Sequence, residues 1–185
     1  MDPDSVDAAD RVPHGSSDEP DVLDLSANIN PRTPEGTREV YAAAFEDARS
    51  YPDDGYPDFR AAAAEYVGCD PGSVVPTAGG LSAIRLAVGV TVSPGDRVLL
   101  PRPSFGEYGR EVRLAGGRPE FVPYGELLDR DPDGYAMAVV CTPNNPTGEC
   151  PPPADLRAFA DRCAAAGTTL LADEAFLGFT DRVSL

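Results

Sequence analysis

The chain has 185 residues, of which 15 are basic, 31 acidic and 42% hydrophobic, for a net charge of −16. That apolar share is enough for a packed core and excludes wholesale disorder. A sequence pI near 4.2 argues against a nucleic-acid partner, whose phosphates most of the surface would repel. No run of 18 apolar residues occurs, so no membrane-spanning helix is expected. The opening Met1-Asp-Pro-Asp-Ser5 has neither the basic nor the apolar stretch of a secretory leader.

All 15 basic residues are Arg and none is Lys, so chemistry that needs a side-chain amine lies outside the reach of these residues. An acidic, Lys-free surface fits a high-salt cytoplasm, where salt screens the repulsion among carboxylates. Compositional drift in a GC-rich genome gives the same counts. Cys69, Cys141, Cys150 and Cys163 show no C-x2-C spacing, and the only histidine is His14. A zinc site is not expected on that inventory, and reduced cytoplasmic thiols are.

Residues 1–20 are rich in Asp, Ser and Pro without an apolar period and read as a disordered acidic leader. Residues 21–50 read as an N-terminal arm and helix. Val22-Leu-Asp-Leu25 has the look of a short strand, and Thr33, Pro34 and Glu35 supply the cap, first position and first-turn charge of a helix running to about Arg49. Ser50 to Pro57 breaks it, and Asp58 to Val67 is a second helix stopped by Gly68. From there strands alternate with helices. Strands are expected at Ser73–Pro76, Arg97–Pro101, Pro119–Val122, Tyr135–Cys141 and Thr168–Ala172, with helices at Leu81–Val90, Phe105–Ala115 and Ala154–Ala165. That order predicts an α/β fold with a mainly parallel sheet and flanking helices, and ligands beyond the carboxyl ends of the strands.

Three motifs fall at such ends. Thr77-Ala-Gly-Gly80 opens a helix, where small residues and backbone N–H groups suit a phosphate, or form an ordinary tight turn. Cys141-Thr-Pro-Asn-Asn-Pro-Thr-Gly148 follows an apolar strand, and its prolines stiffen a loop from which two adjacent carboxamides are expected to project. Asp173-Glu-Ala-Phe176 puts a carboxylate at the end of a buried strand, which is costly unless it meets a cation or a donor.

Together these motifs resemble the fold type I pyridoxal-phosphate enzymes of the class I/II aminotransferase superfamily, over roughly residues 21–185. Ser26-Ala-Asn-Ile-Asn-Pro31, Ser104-Phe-Gly-Glu-Tyr-Gly-Arg110, Ala160-Asp-Arg-Cys163 and the last two motifs look most like threonine-phosphate decarboxylases of cobalamin biosynthesis. Histidinol-phosphate aminotransferases are the near relatives, but they usually carry Glu after the first Asn of the leading motif and Tyr at the place of Phe176. The resemblance implies pyridoxal 5'-phosphate as cofactor, a small phosphorylated amino-acid substrate and a homodimer in the full-length form. It assigns Asp173 to the pyridine nitrogen, Asn145 to the ring oxygen, Phe105 to the ring face, and Gly79, Gly80 and Leu81 to the phosphate. Tyr51 would reach a phosphate across a dimer interface, and Asn28 and Asn30 would face the substrate. It further implies that residues 51–185 form a partial, C-terminally incomplete large domain, because the family's Schiff-base lysine has no counterpart here.

Overall fold

The computed structural model describes residues 12, 15, 19–24, 26–28 and 30–185, so the expected leader over 1–20 lies largely outside the described residues. They fall into two compact units, one within residues 13–76 and the other formed by residues 77–185 together with Val12.

In the first unit, helix α1 spans Thr37–Asp47 and α2 spans Pro57–Val67. The start of α1 corrects the sequence reading. Gly36 precedes it in the left-handed region at φ 80°, and the N–H of Thr37 donates to the carbonyl of Pro34. Residues 34–37 therefore form a turn, and neither Thr33 nor Pro34 caps the helix. Val22–Asp24 carries no strand, and Leu25 lies outside the described residues. Ser73–Pro76 is not a strand either. Asp70 Oδ1 accepts from the N–H of Gly72 at 2.7 Å and caps a 3-10 turn over Pro71–Ser73. Arg60 then takes the carbonyls of Pro71 and Gly72 at 2.9 and 3.0 Å. Local capping wins there because no neighbouring strand competes for those groups.

The second unit is a four-stranded parallel sheet. After α3 (Gly80–Thr91) come β1 (Arg97–Arg102), α4 (Glu107–Leu114), β2 (Arg118–Pro123), β3 (Met137–Cys141), α5 (Pro153–Ala166) and β4 (Thr169–Asp173). The order across the sheet is β2-β1-β3-β4. The period of two sorts the core. Val98, Leu100, Met137, Val139 and Cys141 pack with Ile84 and Val88 of α3 and with Val112 of α4. Their alternates Leu99, Ala138 and Val140 pack with Leu156, Phe159 and Cys163 of α5. All five residues of β3 are buried, which is why this strand reads as a continuous apolar run. A 3-10 stretch over Tyr124–Asp129, absent from the sequence reading, links β2 to β3 and adds Leu127 to the α5 face.

All four strands run parallel, and the order in which they are laid down switches sides between β1 and β3, so the carboxyl ends of β1, β3 and β4 emerge along one edge. In parallel sheets that edge is where ligands sit. One side-chain tie joins α3 to α4, and a neighbour on α4 shares it. Glu111 of α4, 5% exposed, accepts from Arg85 Nε of α3 at 3.0 Å and from Arg110 Nη1 at 3.1 Å. Two guanidiniums thus neutralise a carboxylate whose burial would otherwise be unfavourable.

Two predictions follow from the packing and the backbone. Phe159 is completely buried on the α5 face, so Phe159→Ala lowers stability by about 3–5 kcal/mol in urea unfolding through the cavity it leaves. Gly79 has φ 91° and ψ 168°, a region open essentially to glycine, although a Cβ added there meets no atom within 4 Å. Gly79→Ala therefore costs about 1–3 kcal/mol by backbone strain alone, while Gly80→Ala, equally uncrowded but at the first helical position, is neutral or stabilising in the same urea titration.

Candidate active site

A cleft of about 510 Å³ opens at the carboxyl edge of the sheet, between the first turns of α3, helix α4 and the ends of β3 and β4. Gly80, Leu81, Phe105, Asn145 and Asp173, five of the residues expected at a cofactor site, line it together.

The start of α3 presents backbone donors of the kind that suit an anion. Ser82 and Ala83 N–H groups both turn back to the carbonyl of Gly79, at 3.1 and 3.3 Å. The N–H groups of Gly80 and Leu81 belong to the first turn, whose donors have no partner within a helix, and no acidic side chain lies in that turn. The N–H of Gly79 does not share this role here, because it donates to the carbonyl of Thr77 at 2.9 Å. Its contribution is the backbone turn that aims the helix.

Asp173 closes β4, and its register partner is Cys141 at the end of β3. Because strand residues alternate faces, Asp173 shares the α3/α4 face with Leu171. Its Oδ2 accepts from the Tyr108 hydroxyl at 2.5 Å and its Oδ1 from the N–H of Ala175 at 3.0 Å. Its main-chain carbonyl accepts from Thr142 N–H at 2.9 Å, tying the two strand ends together. Burial and the adjacent Asp173 carboxylate push the Tyr108 phenol far above its ordinary range, so the hydroxyl keeps its proton and acts as donor. Burial also pushes the Cys141 thiol up, which keeps it protonated in the floor of the cleft.

The loop after β3 divides its two carboxamides. Asn145 is half-buried and lines the cleft. Asn144 does not project, contrary to the sequence reading. It is 2% exposed, and its Nδ2 donates to the carbonyl of Pro103 at 3.1 Å and to Thr147 Oγ1 at 2.9 Å. Its backbone N–H donates to the carbonyl of Glu149 at 2.8 Å, and its own carbonyl accepts from Gly148 N–H at 2.7 Å. Asn144 is thus the clamp that shapes the loop, and Asn145 the group the loop presents. Tyr124 supports the same loop from below, donating to the carbonyl of Cys141 at 2.8 Å.

Phe105 borders the cleft and meets the Tyr108 ring edge-on, with centroids 5.6 Å apart and planes at 85°. Phe176 also lines the cleft, its ring 6.3 Å from that of Phe179. Tyr51, Asn28 and Asn30 lie in the unit of residues 13–76 and are exposed, Tyr51 completely. Asn30 Oδ1 accepts from the N–H of Arg32 at 3.0 Å, a local turn bond.

Sequence reasoning gave Tyr108 no role, although it sits three residues after Phe105, on the same side of a helix by spacing. That spacing was the available signal. Among the described residues no group of three His, Cys, Asp or Glu is placed to hold a metal. Among those residues no helix is long and apolar enough to cross a membrane.

The chain is 30% identical over 168 residues to a histidinol-phosphate aminotransferase of Leuconostoc mesenteroides, a match that covers 85% of this chain and 47% of that protein. Among solved structures, histidinol-phosphate aminotransferase of Sinorhizobium meliloti in complex with pyridoxal-5'-phosphate superposes with a TM-score of 0.71 at 23% identity, over 82% of this chain and 43% of that one. L-threonine-O-3-phosphate decarboxylase of Porphyromonas gingivalis superposes with a TM-score of 0.67 at 22% identity, over 82% and 49%. At those identities the two structures share the fold with this chain. The chain spans about half the length of the curated relatives it matches. The family model described as aminotransferase class I and II matches residues 20–183, and the chain belongs to that pyridoxal-phosphate family.

Proposed function

We propose that residues 51–185 supply the cofactor-binding part of a pyridoxal-phosphate enzyme and that the coenzyme occupies the cleft at the sheet edge. One observation carries this reading. A helix N-terminus without acidic side chains and a carboxylate braced at a strand end line the same cleft. The first suits a phosphate ester and the second a protonated ring nitrogen, and few ligands ask for both. The residues present therefore fit the family's cofactor.

In this reading Gly80 and Leu81 bind the phosphate through their N–H groups, and Gly79 sets their direction. Asp173 holds a proton at the pyridine nitrogen, Asn145 donates to the ring oxygen, and Phe105 covers a ring face. An aromatic neighbour in such a place contributes roughly 0.5–1.5 kcal/mol beyond its buried area. Pyridoxal phosphate, when bound, supplies an electron sink for a bond broken at the amino-bearing carbon of a substrate. The protein's part is to keep that ring cationic and to exclude water from it, which the apolar floor of Ile84, Ala87 and Leu171 supports. Full exposure of Tyr51 is compatible with its serving the phosphate of a second copy in a homodimer. Asn28 and Asn30 remain substrate candidates on the strength of their motif.

For the reaction, the curated relatives favour amino transfer of the histidinol-phosphate type. Decarboxylation of L-threonine O-3-phosphate to an aminopropanol phosphate is the second reading, favoured by Phe176 and by Asn28-Ile-Asn30, which has no Glu after its first Asn. Both reactions use Asp173, Asn145 and Phe105 alike.

The 185-residue chain is expected to bind pyridoxal 5'-phosphate reversibly in an absorbance titration. Borohydride treatment and peptide mass mapping should then find no side-chain adduct, since the chain has no Lys; an adduct on a side chain, or no binding, sinks the reading. A form of the polypeptide that continues into a lysine-bearing segment separates the two reactions. Transfer of the amino group from histidinol phosphate to 2-oxoglutarate supports the first. Release of carbon dioxide from L-threonine O-3-phosphate without a keto-acid acceptor supports the second.

A further inference from the structure

We infer that Tyr108 is a positioning residue for the coenzyme: one buried side chain sets both Asp173, at the ring nitrogen, and Phe105, at the ring face. The inference rests on the cofactor reading above and adds a residue that neither motif spacing nor the family match assigns.

The geometry is specific. Tyr108 is 1% exposed on α4, so its hydroxyl needs a partner inside the protein. It takes Asp173 Oδ2 at 2.5 Å, while the N–H of Ala175 takes Oδ1 at 3.0 Å. With one donor on each oxygen, the carboxylate cannot rotate freely about its last torsion. Each oxygen keeps a second lone pair for a cationic N–H. A carboxylate already fixed before the ligand arrives loses little freedom on binding, which is how preorganised sites gain affinity. The Tyr108 ring does a second job, since its edge-to-face contact at 5.6 Å fixes the Phe105 ring that borders the cleft.

A bland account is available for the same bond: Asp173 does no more than satisfy a buried phenol. The two accounts differ in what happens to ligands when the hydroxyl goes. Tyr108→Phe keeps the ring, and with it the packing and the Phe105 contact, and removes only the donor to Asp173. Asp173→Asn reads the same bond from its other end with Tyr108 in place.

The test titrates the 185-residue chain with two probes, followed by coenzyme fluorescence and by competition. Pyridoxamine 5'-phosphate carries the ring nitrogen and, being an amine, forms no imine with the chain terminus. Inorganic phosphate carries only the anion. Tyr108→Phe is expected to weaken pyridoxamine 5'-phosphate roughly three- to tenfold, the range for one hydrogen bond, and to leave inorganic phosphate unchanged. In an Asp173→Asn background the same Tyr108 change should add less than about twofold, because the partner it acts through is gone. Unchanged affinity in Tyr108→Phe overturns the inference. So does an equal loss for both probes, or a loss that persists in full beside Asp173→Asn, since either marks a general loosening of the cleft. If the unaltered chain holds pyridoxamine 5'-phosphate no better than inorganic phosphate, the cofactor reading itself fails and this inference falls with it.

Discussion

Strand β3 is buried along its whole length, and its pairing is what every part of the site depends on. Met137, Val139 and Cys141 face α3 and α4, whereas Ala138 and Val140 face α5. A slip of one residue would exchange these faces and put the wrong set against each helix layer. The same register aligns Cys141 with Asp173, so the position of the carboxylate is decided by apolar packing several residues away. The loop that presents Asn145 starts from the end of this strand, and Thr142 N–H is bonded to the Asp173 carbonyl. Loop and carboxylate are thus fixed by one pair of parallel strands.

Electrostatics poses a second constraint. A chain with net charge −16 repels anions at long range, and any phosphate site in it would have to work locally. Backbone N–H groups at a helix start do so without any cationic side chain, and α3 has no carboxylate in its first turn to oppose them. On α4 the buried carboxylates are matched. Glu111 is held between Arg85 and Arg110, and Arg110 also lies 3.6 Å from Glu107. With Lys absent, guanidinium groups carry all of this pairing, and their fixed fork suits a buried carboxylate better than an ammonium does. The two carboxylates that line the cleft itself have neutral donors: Asp173 accepts from a phenol and a backbone amide, and Glu174 from the Ser184 hydroxyl and the N–H of Leu185.

Much of this was legible in the sequence where short-range patterns carry the information. The apolar runs that became β1, β3 and β4 and the stop at Gly68 all follow from local chemistry. The failures share a cause. Val74 and Val75 have strand propensity, but the neighbouring Asp70 and Arg60 saturate the backbone around them in a turn. Thr33 and Pro34 spell a helix start, but Gly36 in a left-handed conformation moves it to Thr37. In each case a side chain or glycine a few residues away outbid the intrinsic preference, which is the usual fate of weak propensities.

Side-chain roles were harder to read than elements. Asn144 and Asn145 are chemically identical neighbours, and only the carbonyl of Pro103, 41 residues earlier in sequence than Asn144, decides which of them turns inward. Tyr108 and Asp173 are 65 residues apart, and their bond exists because α4 packs on the sheet face to which β4 delivers its last residue. Helical spacing alone places Tyr108 beside Phe105, and alternation alone places Asp173 on the face of Leu171. Neither rule brings the two together. That takes the order β1-β3-β4, with each strand in register, so the link from Phe105 through Tyr108 to Asp173 is a property of the assembled sheet rather than of any motif.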